Sequence, residues 1–363
     1  MSSDSTDASS MDDSASSADV STDPSTDPTA RVPIVGLGAS AGGVEALRSF
    51  FSTLPDDPGM GFIVVVHLAT NAESNLTSIL QSATGMTVET AQSGTTVAPN
   101  HVYVIPPAHR LTIEDGVLQL FATSEKHDAT TIDGFFRSLA KDQEANAVGI
   151  LLSGSGTDGT LGLRAINQKK GITLVQDPDE AEYDSMPSYA RRFCQVDRVA
   201  PANELGPLLV RYRDAAGAID LPRDSDALDD QRRNLLLRIF ARVEAVTGHD
   251  FSGYKQSTVL RRLEHRMRIQ CIATLDNYHR LLHDSEEEVR AFYRSLLIGV
   301  THFFRDAEAF DALKTTVLPS LFREASAENT IRVWVPGCAT GEEAYSLGML
   351  LLEVSNAVDR PPD

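Results

Sequence analysis

The stretch 35-VGLGASAGG-43 supports two readings that lead to different proteins. Gly36, Gly38 and Ala41 satisfy the G-x-G-x-x-G/A turn that brings backbone amides up to a dinucleotide pyrophosphate. The same residues contain 38-GASAG-42, the G-x-S-x-G spacing in which small neighbours allow a sharp strand-to-helix turn that exposes a serine. The dinucleotide reading asks for an acidic residue at the end of the next strand, to hold a ribose hydroxyl. That strand, 61-GFIVVV-66, is followed by His67, an imidazole suited to a general base. The second strand therefore favours the serine elbow.

A third element is 152-LSGSGTDGTLG-162, where Asp158 stands between an apolar run and a helical pattern. An aspartate there also suits a helix N-cap, and the glycines suit a phosphate nest. In a parallel sheet, however, the carboxyl ends of all strands lie on one edge. Ser40, His67 and Asp158 would then meet as nucleophile, base and base-orienting carboxylate, the three roles acyl transfer needs. The Ala41 amide, next after the serine, is the first candidate for an oxyanion donor.

The fold class follows from the alternation around these motifs. Strand-like 32-VPIVGLG-38, helical 43-GVEALRSFFSTL-54, strand-like 61-GFIVVVH-67 and helical 73-ESNLTSILQSA-83 predict an α/β fold with a doubly wound, mainly parallel sheet. A hairpin is predicted at 111-LTIEDGVLQLF-121, turning at Asp115-Gly116. Helix 131–146, strand 147–153, helix 160–170 and strand 171–176 complete the first domain. Helical patterns over 231–248, 257–270, 274–283, 285–300 and 306–325 predict an all-α domain. A strand at 330-TIRVWVPG-337 and a helix at 342-EEAYSLGMLLLEV-354 then form the first βα unit of an incomplete Rossmann-like domain. The expected division is 1–30, 31–215, a linker at 216–230, 231–326 and 327–363.

Composition narrows the function classes. Residues 1–30 hold seven Asp, ten Ser and four Thr, too little apolar surface to offset ordering entropy, which predicts a disordered acidic tail. They have no basic start and no apolar run of a secretory signal, and no segment reaches the ~20 apolar residues of a membrane helix. A cytoplasmic protein without membrane insertion is expected. A net charge of −19 opposes nucleic-acid binding, which needs a basic face. Lys is scarce, six of 32 basic residues, as suits a halophile. Cys194, Cys271 and Cys338 form no metal-ligand spacing, so no metal is expected.

The motifs 38-GASAGG-43, a strand ending in His67, and 151-LLSGSGTDGTLGLRAI-166 resemble the catalytic domain of chemotaxis protein-glutamate methylesterases (CheB-like). The resemblance implies hydrolysis of γ-glutamyl methyl esters on chemoreceptors, with glutamine deamidation as related chemistry, no cofactor, and Ser40, His67 and Asp158 as the triad. Residues 1–30 stand where relatives carry a receiver domain, so control by a fused receiver is not expected. The stretch 125-EKHDATTIDGFFRSLA-140 lacks the Arg-Pro of many relatives.

The second half resembles chemoreceptor glutamate methyltransferases (CheR-like) in 250-DFSGYKQSTVLRRLEHRMR-268, 296-LLIGVTHFFRD-306 and 331-IRVWVPGCATGEEAYSLGMLL-351. That resemblance implies S-adenosyl-L-methionine approached by Thr301, Arg305 and Glu343, with Gly337 and Gly341 admitting the methionyl part. With one strand of that domain present, the methyltransferase part is expected to be inactive in these residues, and 331–363 to be poorly ordered or packed against the helical domain. Arg261, Arg262, Arg266 and Arg268 form a basic island, either a solvated face or a docking surface for acidic receptor helices. The alternative to an enzyme is a non-catalytic signalling interaction module.

Overall fold

The structure is a computed structural model that describes residues 32–66, 75–123, 130–219, 221–222, 228–297, 303–324, 331–338 and 341–357. Strands β1 (Ile34–Ala39), β2 (Gly61–Val66), β3 (Thr87–Thr90), β4 (His101–Val104), β7 (Val148–Leu151), β8 (Ile172–Gln176) and β9 (Arg198–Ala200) form one sheet, ordered β3-β4-β2-β1-β7-β8-β9. Every pairing in it is parallel. Helices α1 (Gly43–Phe51), α2 (Leu76–Gln81) and α6 (Ala202–Ala218) cover one face, where Leu47, Phe50, Phe51, Leu80, Leu205 and Leu209 are buried. On the other lie α3 (Thr131–Gln143), α4 (Thr160–Gln168) and α5 (Ser185–Phe193), burying Phe135, Phe136, Leu163, Ile166 and Met186. Two covered faces explain why β1 and β2 are buried at every residue and read as unbroken apolar runs.

Gly36 and Gly38 belong to this packing. They lie inside β1, and a Cβ on Gly36 would meet Phe135 and Leu139, one on Gly38 Ile132 and Phe136. The glycines let α3 ride close over the strand, so their purpose is helix-on-sheet contact. The predicted hairpin is present as β5 (His109–Glu114) and β6 (Val117–Ala122), with φ of 49° at Asp115 and 74° at Gly116, the two positive values of a type I′ turn.

A second core gathers α7 (Asp230–Thr247), α8 (Gln256–Ile269), α9 (Leu275–Asp284) and α10 (Glu286–Leu296) around Ile239, Val259, Leu263, Tyr278 and Phe292. Side chains of Asp229, Thr274 and Ser285 cap three of these helices. The basic island on α8 is neither a solvated face nor an open docking surface as a whole. Arg266 is buried and grips Glu288 through Nε (2.9 Å) and Nη2 (2.6 Å), and Tyr278 donates to the same carboxylate at 2.7 Å. Helical periodicity puts Arg266 on the face with Leu263 and Met267, which is why its charge turned inward.

Helix α8 docks on the amino edge of the sheet. His265 Nε2 lies 2.9 Å from Asp197 Oδ1 just before β9, and Arg268 donates to the Ala145 carbonyl just before β7 at 3.3 Å. Asp197 Oδ2 accepts from the Thr173 amide and hydroxyl, each at 2.9 Å. Burial opposes the charge on Asp197, but His265 and the Thr173 amide outweigh it and hold the carboxyl below its usual range.

Beyond the bundle, the single helix expected over 306–325 is divided into α11 (Ala307–Ala312), a π-helical turn (Leu313–Val317) and α12 (Leu318–Glu324). The strand expected at 330–337 is not formed: residues 331–335 pair with no strand among the described residues, and a strand's hydrogen bonds must come from a neighbour. Helix α13 (Glu342–Ala357) is ordered. It packs Leu350 and Val354 on Leu318, and Glu342 bridges to Arg164 of α4 at 2.9 Å. No described helix is long and apolar enough to cross a membrane.

Two expectations follow from this packing. A Cβ on Gly162 would press into Phe136 and the Asp133 backbone, whereas Gly134 faces open space in α3. Gly162→Ala should cost about 2 kcal/mol in urea unfolding and Gly134→Ala should gain about 0.5–1 kcal/mol. Because the Asp197 carboxyl is depressed, its contribution is present above the ordinary carboxylate range and lost as pH falls through the lowered value. Asp197→Asn should therefore lower stability by about 2 kcal/mol at neutral pH and flatten the acid limb of the stability profile.

Candidate active site

Ser40 follows the last residue of β1, and the turn is built so that it must bend there. Gly42 has φ of 69°, and a Cβ on it would come within 2.7 Å of Ser153 Oγ. The Ser40 amide donates to the Ser153 carbonyl at 3.0 Å, and the Ser40 carbonyl accepts from Gly43 at 2.9 Å. Ser40 itself is half-buried.

Ser153, 1% exposed, holds the elbow from the β7 side. Its hydroxyl donates to the Ala41 carbonyl at 2.9 Å and accepts from the Tyr183 amide at 3.0 Å. Its amide donates to Gln176 Oε1 at 2.7 Å, and Gln176 Nε2 donates in turn to Glu180. Gly154 is required beside the serine, since a Cβ there would stand 3.0 Å from Ser40 Cβ and closer still to Met186. Sequence reasoning passed over Ser153, Gly154, Gln176, Tyr183 and Met186. The one available signal was the run of small residues 153-SGSG-156 after an apolar strand, which marks close backbone approach.

Asp158 is 5% exposed. Its Oδ2 accepts from the Ile132 amide, and its Oδ1 from the Asp133 and Gly159 amides, all at 2.9 Å. The cap reading is thus correct in kind but directed elsewhere: Asp158 satisfies the start of α3, not of α4, which begins after Gly159 with no side-chain cap. Asp133 returns the contact by accepting from the Gly162 amide of α4 at 2.7 Å. Burial raises the Asp133 pKa, and the Asp158 charge adds to the shift.

Strand pairing fixes the relation of the three motifs. β1 lies between β2 and β7, with Ala39 beside Val66 and Gly38 beside Leu151. The chain leaves β1 toward β2 and later returns to β7 on its other side. This makes the Ser40 edge a topological switch point, where doubly wound sheets place their sites. Ser40 and the Asp158 turn occupy that edge. His67 lies outside the described residues, one position beyond Val66 at the carboxyl end of β2. The Cys194 thiol donates to the Thr160 carbonyl, and burial pushes its pKa up to about 11, so it offers no competing nucleophile at neutral pH. Among the described residues no group of three or more His, Cys, Asp or Glu is arranged for a metal ion.

Of the residues expected around adenosylmethionine, the structure describes Arg305, Gly337, Gly341 and Glu343. Thr301 lies outside the described residues. Gly337 (φ 69°) and Gly341 (φ 99°) keep the open backbone such a turn needs, but a Cβ on Gly337 would face empty space, Glu343 is exposed and Trp334 is 87% exposed. Arg305 sits in the segment before α11. The Phe304 amide, next to Arg305, donates to Ser346 Oγ of α13 at 2.8 Å, so the segment that carries Arg305 lies against the helix that carries Glu343.

Comparison with known proteins matches residues 35–209 to the CheB methylesterase family. Residues 234–297 match the all-alpha domain of CheR methyltransferase and 299–360 its SAM binding domain. An uncharacterized 104.1 kDa protein of Rhodobacter capsulatus is 34% identical over 306 residues, 79% of this chain and 32% of that one. A putative protein-glutamate methylesterase/protein-glutamine glutaminase of Leptospira interrogans is 29% identical over 48% of this chain and 92% of its own. Its Geobacter metallireducens counterpart is 31% identical over 51% and 52%. The chain thus spans about a third of the first of these relatives and about half of the last. The crystal structure of the Thermotoga maritima CheB methylesterase catalytic domain aligns with a TM-score of 0.46 and 24% identity, over 50% of this chain and 98% of that one. The chain joins a CheB methylesterase domain to the all-alpha and SAM-binding domains of CheR methyltransferases.

Proposed function

We propose that residues 31–215 are a protein-glutamate methylesterase acting on methylated glutamates of chemoreceptors in the cytoplasm, with Ser40 as nucleophile, His67 as base and Asp158 as the acid that orients it. The observation that carries this reading is the tied elbow: a half-buried serine at the switch point, its amide fixed to Ser153, beside a strand whose following turn holds a buried carboxylate. In the proposed cycle His67 takes the Ser40 proton as Oγ attacks the ester carbonyl. The tetrahedral oxyanion is held by backbone amides of which Ala41 is the first candidate, and methanol leaves with the proton returned by His67. Water, deprotonated by His67, then releases glutamate. Ammonia in place of methanol gives glutamine deamidation by the same acyl step, in line with the glutaminase in the relatives' names.

The parts at 231–326 and 327–363 are read as methyltransferase-type, with S-adenosyl-L-methionine as the cofactor of that activity. The activity assigned to residues 31–215 is the esterase. Hydrolysis of a methylated receptor peptide tests it. Ser40→Ala should lower kcat by ~10⁴-fold with an unchanged melting temperature; turnover independent of Ser40 would overturn the nucleophile assignment, and no turnover by the unaltered chain would favour an interaction module. Asp158→Ala should behave differently. It should lose kcat by a similar order and also about 3 kcal/mol of stability, since the buried amides of Ile132, Asp133 and Gly159 lose their acceptor. Calorimetry and kinetics on the same preparation separate the two losses.

A further inference from the structure

The junction between the sheet and the helical bundle contains a cleft of about 360 Å³, at the lower end of small-molecule sites. Besides Arg266, which Glu288 holds, four cations from four elements line it: half-buried Lys170 in the turn between α4 and β8 and Arg262 on α8, and exposed Arg198 on β9 and Arg294 on α10. The two buried carboxylates on the same walls are already engaged. Asp197 is taken by His265 and Thr173, and Glu288 by Arg266, Gln270 and Tyr278. Glu287, on the rim, is exposed. Among the described residues none of the four cations is ion-paired.

Such an arrangement is costly by itself. Burial first, and then Arg262 and Arg261, push the Lys170 pKa down to about 8, and burial with Arg261 also lowers that of Arg262. Lys170 moreover has φ of 70°, a left-handed conformation that a long side chain adopts at a cost and glycine adopts freely. A half-buried lysine in a glycine-like conformation, in a cleft with other cations where the buried carboxylates are engaged and the remaining one, Glu287, stands exposed on the rim, is placed for a ligand that brings the missing charge.

We propose that this cleft binds a small phosphate-bearing ligand, its phosphoryl group held by Lys170, Arg198 and Arg262. Three donors from three elements match the three acceptor oxygens and nearly two negative charges of a phosphoryl group. A carboxylate would neutralise only one of them. The volume leaves room for a sugar-sized group beyond the phosphate. Because the walls belong to both halves of the chain, the ligand clamps the bundle to the sheet, on the edge opposite Ser40.

Thermal unfolding of the whole chain with inorganic phosphate or ribose 5-phosphate, each against sodium chloride at equal ionic strength, tests this. A saturable rise in Tm of a few degrees beyond the chloride control is expected with at least one probe. Lys170→Gly suits the φ of 70° and should leave the unliganded Tm unchanged or higher while abolishing the rise; Arg262→Gln, on a different element, should abolish it too. A response to ribose 5-phosphate alone assigns an organic phosphate, and one to inorganic phosphate assigns the free ion as sufficient. No rise above chloride with either probe, or a full rise in both variants, overturns the proposal.

Discussion

The carboxylate of Asp158 is the constraint on which the esterase half is built. A helix start leaves backbone amides without intrahelical partners, and α3 begins buried, where water cannot supply them. Asp158 reaches from the β7–α4 turn to satisfy two of these amides, and Asp133 on α3 reaches back to Gly162 on α4. The exchange locks α3 and α4 side by side. It also sets α3 down on β1 at a distance that only glycine at 36 and 38 permits. The composition of the opening motif is therefore a consequence of a contact made 120 residues later in the chain.

The same logic distributes the two halves of the molecule over opposite edges of one sheet. Its strands are all parallel, so their carboxyl ends gather on one edge and their amino ends on the other. The serine elbow uses the first. Helix α8 uses the second, inserting His265 against Asp197 and resting Ile269 in the sheet's own core. A helical domain bound by the amino edge stands away from the edge that carries Ser40. The cost is a junction crowded with arginine, only part of which finds carboxylates within the chain.

The central sheet was legible because its strands are buried on both faces and carry no competing pattern, and the hairpin because Asp-Gly between alternating apolar residues has one natural turn. β3, β4 and β9 escaped, being edge or near-edge strands of three or four residues with mixed burial, too short to give a period. Arg266 escaped for a different reason. Helical periodicity places it on the apolar face, but nothing local names its partner Glu288, 22 residues away, or sets it apart in kind from exposed Arg261 and half-buried Arg262. The Ser153–Gln176 bond is of the same kind: Ser153 just past β7 and Gln176 at the end of β8 meet only when the two strands pair. Motifs that act through their own backbone turn were readable, and those that act through a partner brought in by pairing were not.

Helix α4 connects these features physically. At nine residues it is about 13 Å long. Its start is fixed by Asp133 and follows Asp158 directly, its flank carries Arg164 bridged to Glu342 of α13, and the turn at its end presents Lys170 to the cleft between the halves. A rod so short, held at its start and along its flank, cannot bend within itself without breaking its own hydrogen bonds, so an event at one end reaches the other only as a shift of the whole helix. The site end is gripped by Asp158 and Asp133, and the cleft end is tied by the Asn167 side chain on the Gln195 carbonyl (2.8 Å) and by Lys169 on Glu144 (3.6 Å), while Lys170 itself carries no ion pair. Charge neutralisation at Lys170 would therefore act at one end of a helix anchored at both. Its effect would be to stabilise the arrangement in which the Asp158 turn is already formed, raising the fraction of chains with an assembled edge rather than driving a switch between two states.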